Sequence, residues 1–199
     1  RAVIVIPDNK NSGNVTVAKG ATLNINADNK VTVEGMDGSN SYGTMGIRFK
    51  GWAQNADIDT AATSVVQVLG NLNMNMGSGG STAILGSYVD VQNVGNVNIE
   101  TAQDGNNGNT GTLEVEHNGT HFGVITGGLA GSDNYAGIRI ADGGTLKIVR
   151  SVDNENGNKS TQPLISYGDI TTSNGKTFTI DVKPGGTLDL QDNAQNPNE

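Results

Sequence analysis

The chain has 199 residues, 34% hydrophobic, 16% charged and only 4% aromatic, with 29 glycines, no cysteine and a net charge of −8. A pI near 4.6 without a basic stripe argues against a nucleic-acid partner and against electrostatic docking on an anionic membrane. No apolar run approaches the roughly 20 residues of a membrane helix, no signal peptide is visible, and the lack of cysteine rules out a disulfide framework.

In chain order, nearly every apolar run alternates at period two, the pattern of a strand with one buried face. "AVIVIP" opens the chain directly in such a run, which predicts a piece excised from a longer protein. "VTVAKGATLNI" begins at Val15, and "KVTVE" at Lys30. "GIRFK" begins at Gly46, "ADIDT" at Ala56, and "VQVLGNLNM" at Val66, running into the "NLNMNM" strand. "VDVQNVGNVNI" begins at Val89, "TLEVEH" at Thr112 and "FGVIT" at Phe122. "IRIADGGTLKI" begins at Ile138, "PLISY" at Pro163, "KTFTID" at Lys176 and "IDVKPGGTLDL" at Ile180. Gly, Asn and Asp interrupt every window of helical length.

Four of these runs are one phrase: apolar-x-apolar, a glycine corner, apolar-x-apolar. They align without gaps from Val15, Val89, Ile138 and Ile180, with a shortened relative at Val66. The predicted inward sets are Val15, Val17, Leu23 and Ile25; Val89, Val91, Val97 and Ile99; Ile138, Ile140, Leu146 and Ile148; and Ile180, Val182, Leu188 and Leu190. Glycine suits the corner because positive φ costs little only there. A strand–corner–strand unit cannot bury its apolar face alone, so repetition implies stacked coils. The phrases recur about 74, 49 and 42 residues apart, read as three, two and two coils of about 20–25 residues, or about seven in all. The expected organisation is one solenoid over 1–191, with related halves near 20–100 and 111–191, and a linker or exit tail over 192–199. In the longer self-similarity "NSYGTMGIRFKG" matches "SDNYAGIRIADG". An antiparallel sandwich is the competing architecture, but it has no need of a repeated corner phrase.

Glu114 and Glu116 flank Val115, and Asp57 and Asp59 flank Ile58; paired carboxylates serve glycosidases or Ca²⁺, but they also serve as a solvated outer face. His117 and His121 bracket a turn-forming "NG" and lack a local third metal ligand. No Gly-x-Ser-x-Gly elbow exists. Neither a metal nor a cofactor is expected. The cluster with the most to offer is aromatic and cationic. Tyr42, Arg48 and Trp52 lie close in sequence, Trp52 is the single tryptophan, and Arg139 with Tyr135 upstream occupies the matching place in the second half. Rings stack on sugar C–H faces and a guanidinium forks a carboxylate or sulfate, so these five residues are the candidate ligand contacts; the alternative is that Trp52 caps a corner under Arg48.

The "GGTL" corners, the outward Asn and Thr, the missing cysteine and the acidic balance resemble right-handed parallel β-helix, pectate-lyase-like segments of large cell-surface adhesins of Gram-positive bacteria, lactobacilli in particular. The resemblance spans residues 1 to about 191; similar "G-T-L-x-I" corners occur in Gram-negative autotransporter passengers. It implies a wall-anchored, extracellular, multi-domain protein with neighbouring domains, binding mucin, epithelial surface or other host glycans. The same fold hosts polysaccharide lyases and hydrolases, whose clustered Asp, Asp-Asp and His-Gly motifs this sequence lacks, so the expectation is a binding module rather than an enzyme. A passive stalk is the third reading. Partial protonation of 20 carboxylates in acid predicts stronger adhesion to anionic mucin there.

Overall fold

A computed structural model describes residues 2–7, 13–27, 30–32, 41–43, 45–49, 58–59, 64–77, 82–101, 124–126, 136–151, 164–166 and 178–193. Among them there is no helix, and the strands form three five-stranded parallel sheets and one antiparallel hairpin. Sheet A holds β1 (Ala2–Ile6), β6 (Met45–Phe49), β9 (Ile84–Leu85), β12 (Ile125–Thr126) and β15 (Ile165–Ser166). Sheet B holds β2 (Asn14–Val17), β7 (Val65–Val68), β10 (Tyr88–Val91), β13 (Ala136–Ile140) and β16 (Phe178–Val182). Sheet C holds β3 (Thr22–Asn26), β8 (Asn71–Gly77), β11 (Asn96–Thr101), β14 (Thr145–Arg150) and β17 (Thr187–Asp192). The hairpin pairs β4 (Lys30–Thr32) with β5 (Ser41–Gly43).

The chain visits A, B and C in turn, so each pass adds one strand to every sheet. Among the described residues there are five such tiers, where the phrase spacings predict about seven coils. Register explains the difference. Val15 pairs with Val66, Val66 with Val89, Val89 with Ile138 and Ile138 with Ile180. The longest interval therefore spans two tiers and the others one each. The surplus residues lie in the connections to and from sheet A, which spacing alone cannot separate from whole coils.

Alternation places the core. In sheet B, Val66, Val68, Val89, Val91 and Ile140 are fully buried, and in sheet C so are Leu72, Val97, Ile99, Leu146 and Ile148. In-register stacking gives each a partner above and below, and each burial contributes about 1.5–3 kcal/mol. The last tier departs from expectation. Ile180, Val182 and Leu190 continue the inward columns yet are 42%, 40% and 44% exposed, and among the described residues no strand pairs with β16 or β17 on the far side.

The B-to-C corners show why the phrase carries two adjacent glycine positions. Gly95, Gly144 and Gly186 each donate from the backbone to the carbonyl three residues back, at 2.8, 3.0 and 2.9 Å. The residue before each has positive φ: Val94 59°, Gly143 77° and Gly185 82°, matching Gly20 at 78° in the first tier. That pairing is the signature of a type II turn, which also accounts for Pro184 before Gly185. The second glycine answers a different need, since a Cβ on Gly95 would run into the Val68 carbonyl and one on Gly186 would sit 3.0 Å from Ile140 O. The first glycine is a matter of φ, the second of close stacking. β17 ends at Asp192, one residue past the expected boundary, and 194–199 of the expected tail lie outside the described residues.

Candidate functional site

The outer faces of sheets B and C carry the side chains with chemistry to offer. On sheet B, one outward column runs Thr16, Gln67, Asp90, Arg139 and Asp181 in register. Arg139 donates through Nε to Asp90 Oδ1 at 2.8 Å and through Nη2 to Asp90 Oδ2 at 3.0 Å. Its Nη1 and Nη2 also donate to Asp59 Oδ2 and Oδ1, at 3.0 and 2.9 Å. Gln92 Nε2 donates to Asp90 Oδ2 at 2.6 Å, and Gln67 Nε2 reaches the same oxygen at 3.4 Å. The Asp90 side chain is only 2% exposed, and a carboxylate so buried requires this many donors.

The guanidinium between two carboxylates has its pKa raised, first by the hydrogen bonds to Asp90 and then by those to Asp59. In return, Arg139 holds the exposed Asp59 carboxyl below the usual range. Beside this pair Ile58 packs against Val65 and Tyr88, and the Tyr88 ring lies where a Cβ on Gly137 would be, 3.2 Å from its Cε1. Arg139 thus acts as a clasp that ties residues 58–59 to sheet B. Each of its three nitrogens donates to a protein carboxylate.

Of the other expected contacts, Arg48 does not stand beside it. Arg48 lies in sheet A, in register with Val5 and Leu85, whereas Arg139 lies in sheet B; the sequence match between "GIRFK" and "GIRIA" joins strands of two different sheets. Among the described residues the buried Arg48 Nε has no hydrogen-bond partner. Tyr42 is in β5, where its backbone pairs with Val31. Trp52 and Tyr135 lie outside the described residues, as do Asp57, Glu114, Glu116, His117 and His121.

Sheet C carries a feature that sequence reading passed over. Its outward residues form two parallel columns: Asn24, Asn73, Asn98 and Lys147 in one, and Asn26, Asn75, Glu100 and Val149 in the other. Between them runs a trough of about 460 Å³, floored by the backbone of Ile25, Met74 and Ile99. Asn73 Nδ2 donates to Asn24 Oδ1 at 3.0 Å, and Asn98 Nδ2 to Asn73 Oδ1 at 3.1 Å. A primary amide has two N–H donors and two lone pairs, and Asn73, at the centre of the ladder, gives one of each to it. Lys147, 3.8 Å from Asp189, closes the ladder's end.

The sequence did hold a signal for this column. Asparagine alternates with core residues in "TLNIN", "NLNMN" and "NVNIE", and strand register alone stacks those amides at the inter-strand spacing of about 4.8 Å. Chemically, the trough offers neutral donors and acceptors at a regular interval, with Glu100 its only lining carboxylate among the described residues. Among the described residues no group of three His, Cys, Asp or Glu stands close enough to hold a metal ion. Comparison with protein-family models, with curated proteins and with solved structures gave no match.

Proposed function

We propose that the chain is a right-handed parallel β-helix module of a bacterial cell-surface adhesin, and that it binds glycans, not as an enzyme, along the outer face of sheet C. The parallel three-sheet stacking supports the β-helix reading, and the strong right-handed preference of parallel crossover connections supports the hand. The sequence resemblance supports the extracellular, wall-anchored setting, with mucin or epithelial glycans as partners. The observation that carries the binding site is the in-register asparagine column beside the trough. Sugar hydroxyls are donors and acceptors of the same kind as amides, and a row of amides one strand apart offers successive rings of an extended chain equivalent partners. A neutral strip also suits a protein of net charge −8, which repels polyanions elsewhere on its surface.

The test is a glycan array, mucins included, probed at about pH 4.5 and about pH 7 with the native chain and with Asn73→Ala/Asn98→Ala. Discrete hits that weaken by about tenfold in the double variant support the site, the size expected for loss of one or two direct hydrogen bonds. Hits that survive it place the ligand elsewhere on the module. A blank array at both pH values leaves the passive stalk as the better reading. Stronger mucin retention at the lower pH is the expected direction, since protonating carboxylates weakens repulsion.

A further inference from the structure

The trough on sheet C has dimensions as well as chemistry. Its lining comes from four successive strands, β3, β8, β11 and β14, so it runs across the strands and along the stack. Four tiers span three inter-strand steps of about 4.8 Å each, or about 14 Å. The two columns that wall it stand two residues apart on every strand, which is about 6.6 Å. The peptide groups of Met74 and Ile99 in its floor are engaged by strands on both sides. The floor is therefore a flat surface, and hydrogen bonding falls to the walls.

The walls are ordered before any ligand arrives. Asn98 donates to Asn73 and Asn73 to Asn24, so all three amides point the same way along the stack. Across the trough, Asn75 Oδ1 accepts from Gly77 N at 3.1 Å. Side chains already held in place lose less freedom on binding. Among the described residues, Asn24 Nδ2 and Asn98 Oδ1, at the two ends of the amide row, have no protein partner.

A pyranose ring has flat C–H faces and a rim of hydroxyls, so it fits a flat floor between two polar walls. A β-1,4-linked chain is a straight ribbon that advances by about one strand spacing, about 4.8 Å, per ring. An α-1,4-linked chain coils and leaves a straight row after a ring or two. A uronic acid chain places a carboxylate on every ring, against Glu100 in the wall and a protein of net charge −8. Building on the glycan reading of this face, we propose that the trough takes an unbranched, uncharged, β-1,4-linked pyranose chain along the stack, one ring to each tier, and that Glu100 selects against chains of uronic acids.

The test is calorimetric titration of the native chain with β-1,4-linked oligomers of glucose and of N-acetylglucosamine, two to six rings long. Maltohexaose and tetragalacturonate are the contrasts. In at least one β-1,4 series, Kd should fall with each ring up to the fourth and then level off. Both contrasts should bind at least about tenfold more weakly than the matching tetramer. Asn24→Ala, at an exposed position, should make the levelling come at the third ring, with an unchanged far-UV circular dichroism spectrum. Glu100→Gln should narrow the preference for the uncharged tetramer over tetragalacturonate by about tenfold. Glycan binding that needs Asn73 and Asn98 but shows no dependence on length, or favours α-linked or acidic chains, overturns this proposal and leaves the glycan face standing. If no glycan of any kind shows binding that needs Asn73 and Asn98, the glycan reading of the face fails and this proposal with it.

Discussion

The B-to-C corner and the connections around sheet A lie in the same tiers and obey different rules. Four of the five B-to-C corners are four residues long, with positive φ at the third; the remaining one, Leu69–Gly70, is shorter but still puts glycine against the tier beneath. The connections through sheet A vary from Gly86–Ser87, between β9 and β10, to the 23 residues between β11 and β12. A corner that stacks on a tier beneath leaves no room for a side chain at its last position, because an added Cβ meets a backbone carbonyl. Where the second region is described, at residues 58–59, side-chain contacts with Arg139, Val65 and Tyr88 hold it. Stereochemistry specifies the first region and chosen contacts the second.

Breaking the corner should therefore cost most. Gly95→Ala is expected to destabilise by about 3 kcal/mol, because its Cβ enters backbone atoms of Val68 and Gln92 that cannot give way. Gly20→Ala, at a corner with open space around it, should cost only about 1 kcal/mol, the price of positive φ for an L-residue. Urea unfolding of both variants checks the difference, and equal losses would mean that conformation alone, not stacking, demands glycine.

The clasp tests the other region. Arg139→Ala should cost about 2 kcal/mol, since it leaves the buried Asp90 carboxylate with only amide donors. Asp59→Asn should cost far less, because Asp59 is exposed. Its effect has a defined pH dependence. The Asp59 carboxyl is held below its unfolded value by Arg139. The stabilisation is therefore fully present above the usual carboxylate range and is lost as pH falls through the lower, folded value. Native chain and Asp59→Asn should differ in stability near neutrality and converge in strong acid. A gap that persists there would assign the effect of Asp59 to something other than its charge.

The same contrast explains how far the sequence could be read. The strand–corner–strand phrase was legible because sheets B and C repeat it at one length in four of the five tiers, and the alternation in "IRIADGGTLKI" gave the correct buried face at Ile138, Ile140, Leu146 and Ile148. The tier count was not legible, because inserted residues on the sheet A side inflate the intervals between phrases. Arg48 and Arg139, alike in their local sequence, stand in different sheets for a related reason. "GIRF" and "GIRI" are similar as isolated strands, and nothing in a strand's own sequence says which of three sheets it joins. The contact between Asp59 and Arg139 joins residues 80 apart and depends on how residues 58–59 lie over sheet B. The asparagine column was legible in principle, since period two and the phrase register stack Asn24, Asn73 and Asn98.

Val94 allows the smallest and most exacting comparison, because it is the one corner residue that keeps the geometry without the glycine. Its φ is 59°, and at 60% exposure its side chain gains little from packing. A β-branched residue is among the poorest choices for the left-handed region, at a cost of about 1–2 kcal/mol. Val94→Gly removes that cost but gives the unfolded chain more freedom, which offsets part of the gain. The expected net effect is a stabilisation of about 0.5–1 kcal/mol, seen as a higher urea midpoint at unchanged slope. Val94→Asn separates the two contributions, since asparagine tolerates positive φ without the flexibility of glycine and should stabilise at least as much. If both substitutions destabilise, the exposed valine is making a contact that outweighs its strain, and the corner would then owe its shape to packing as much as to backbone conformation.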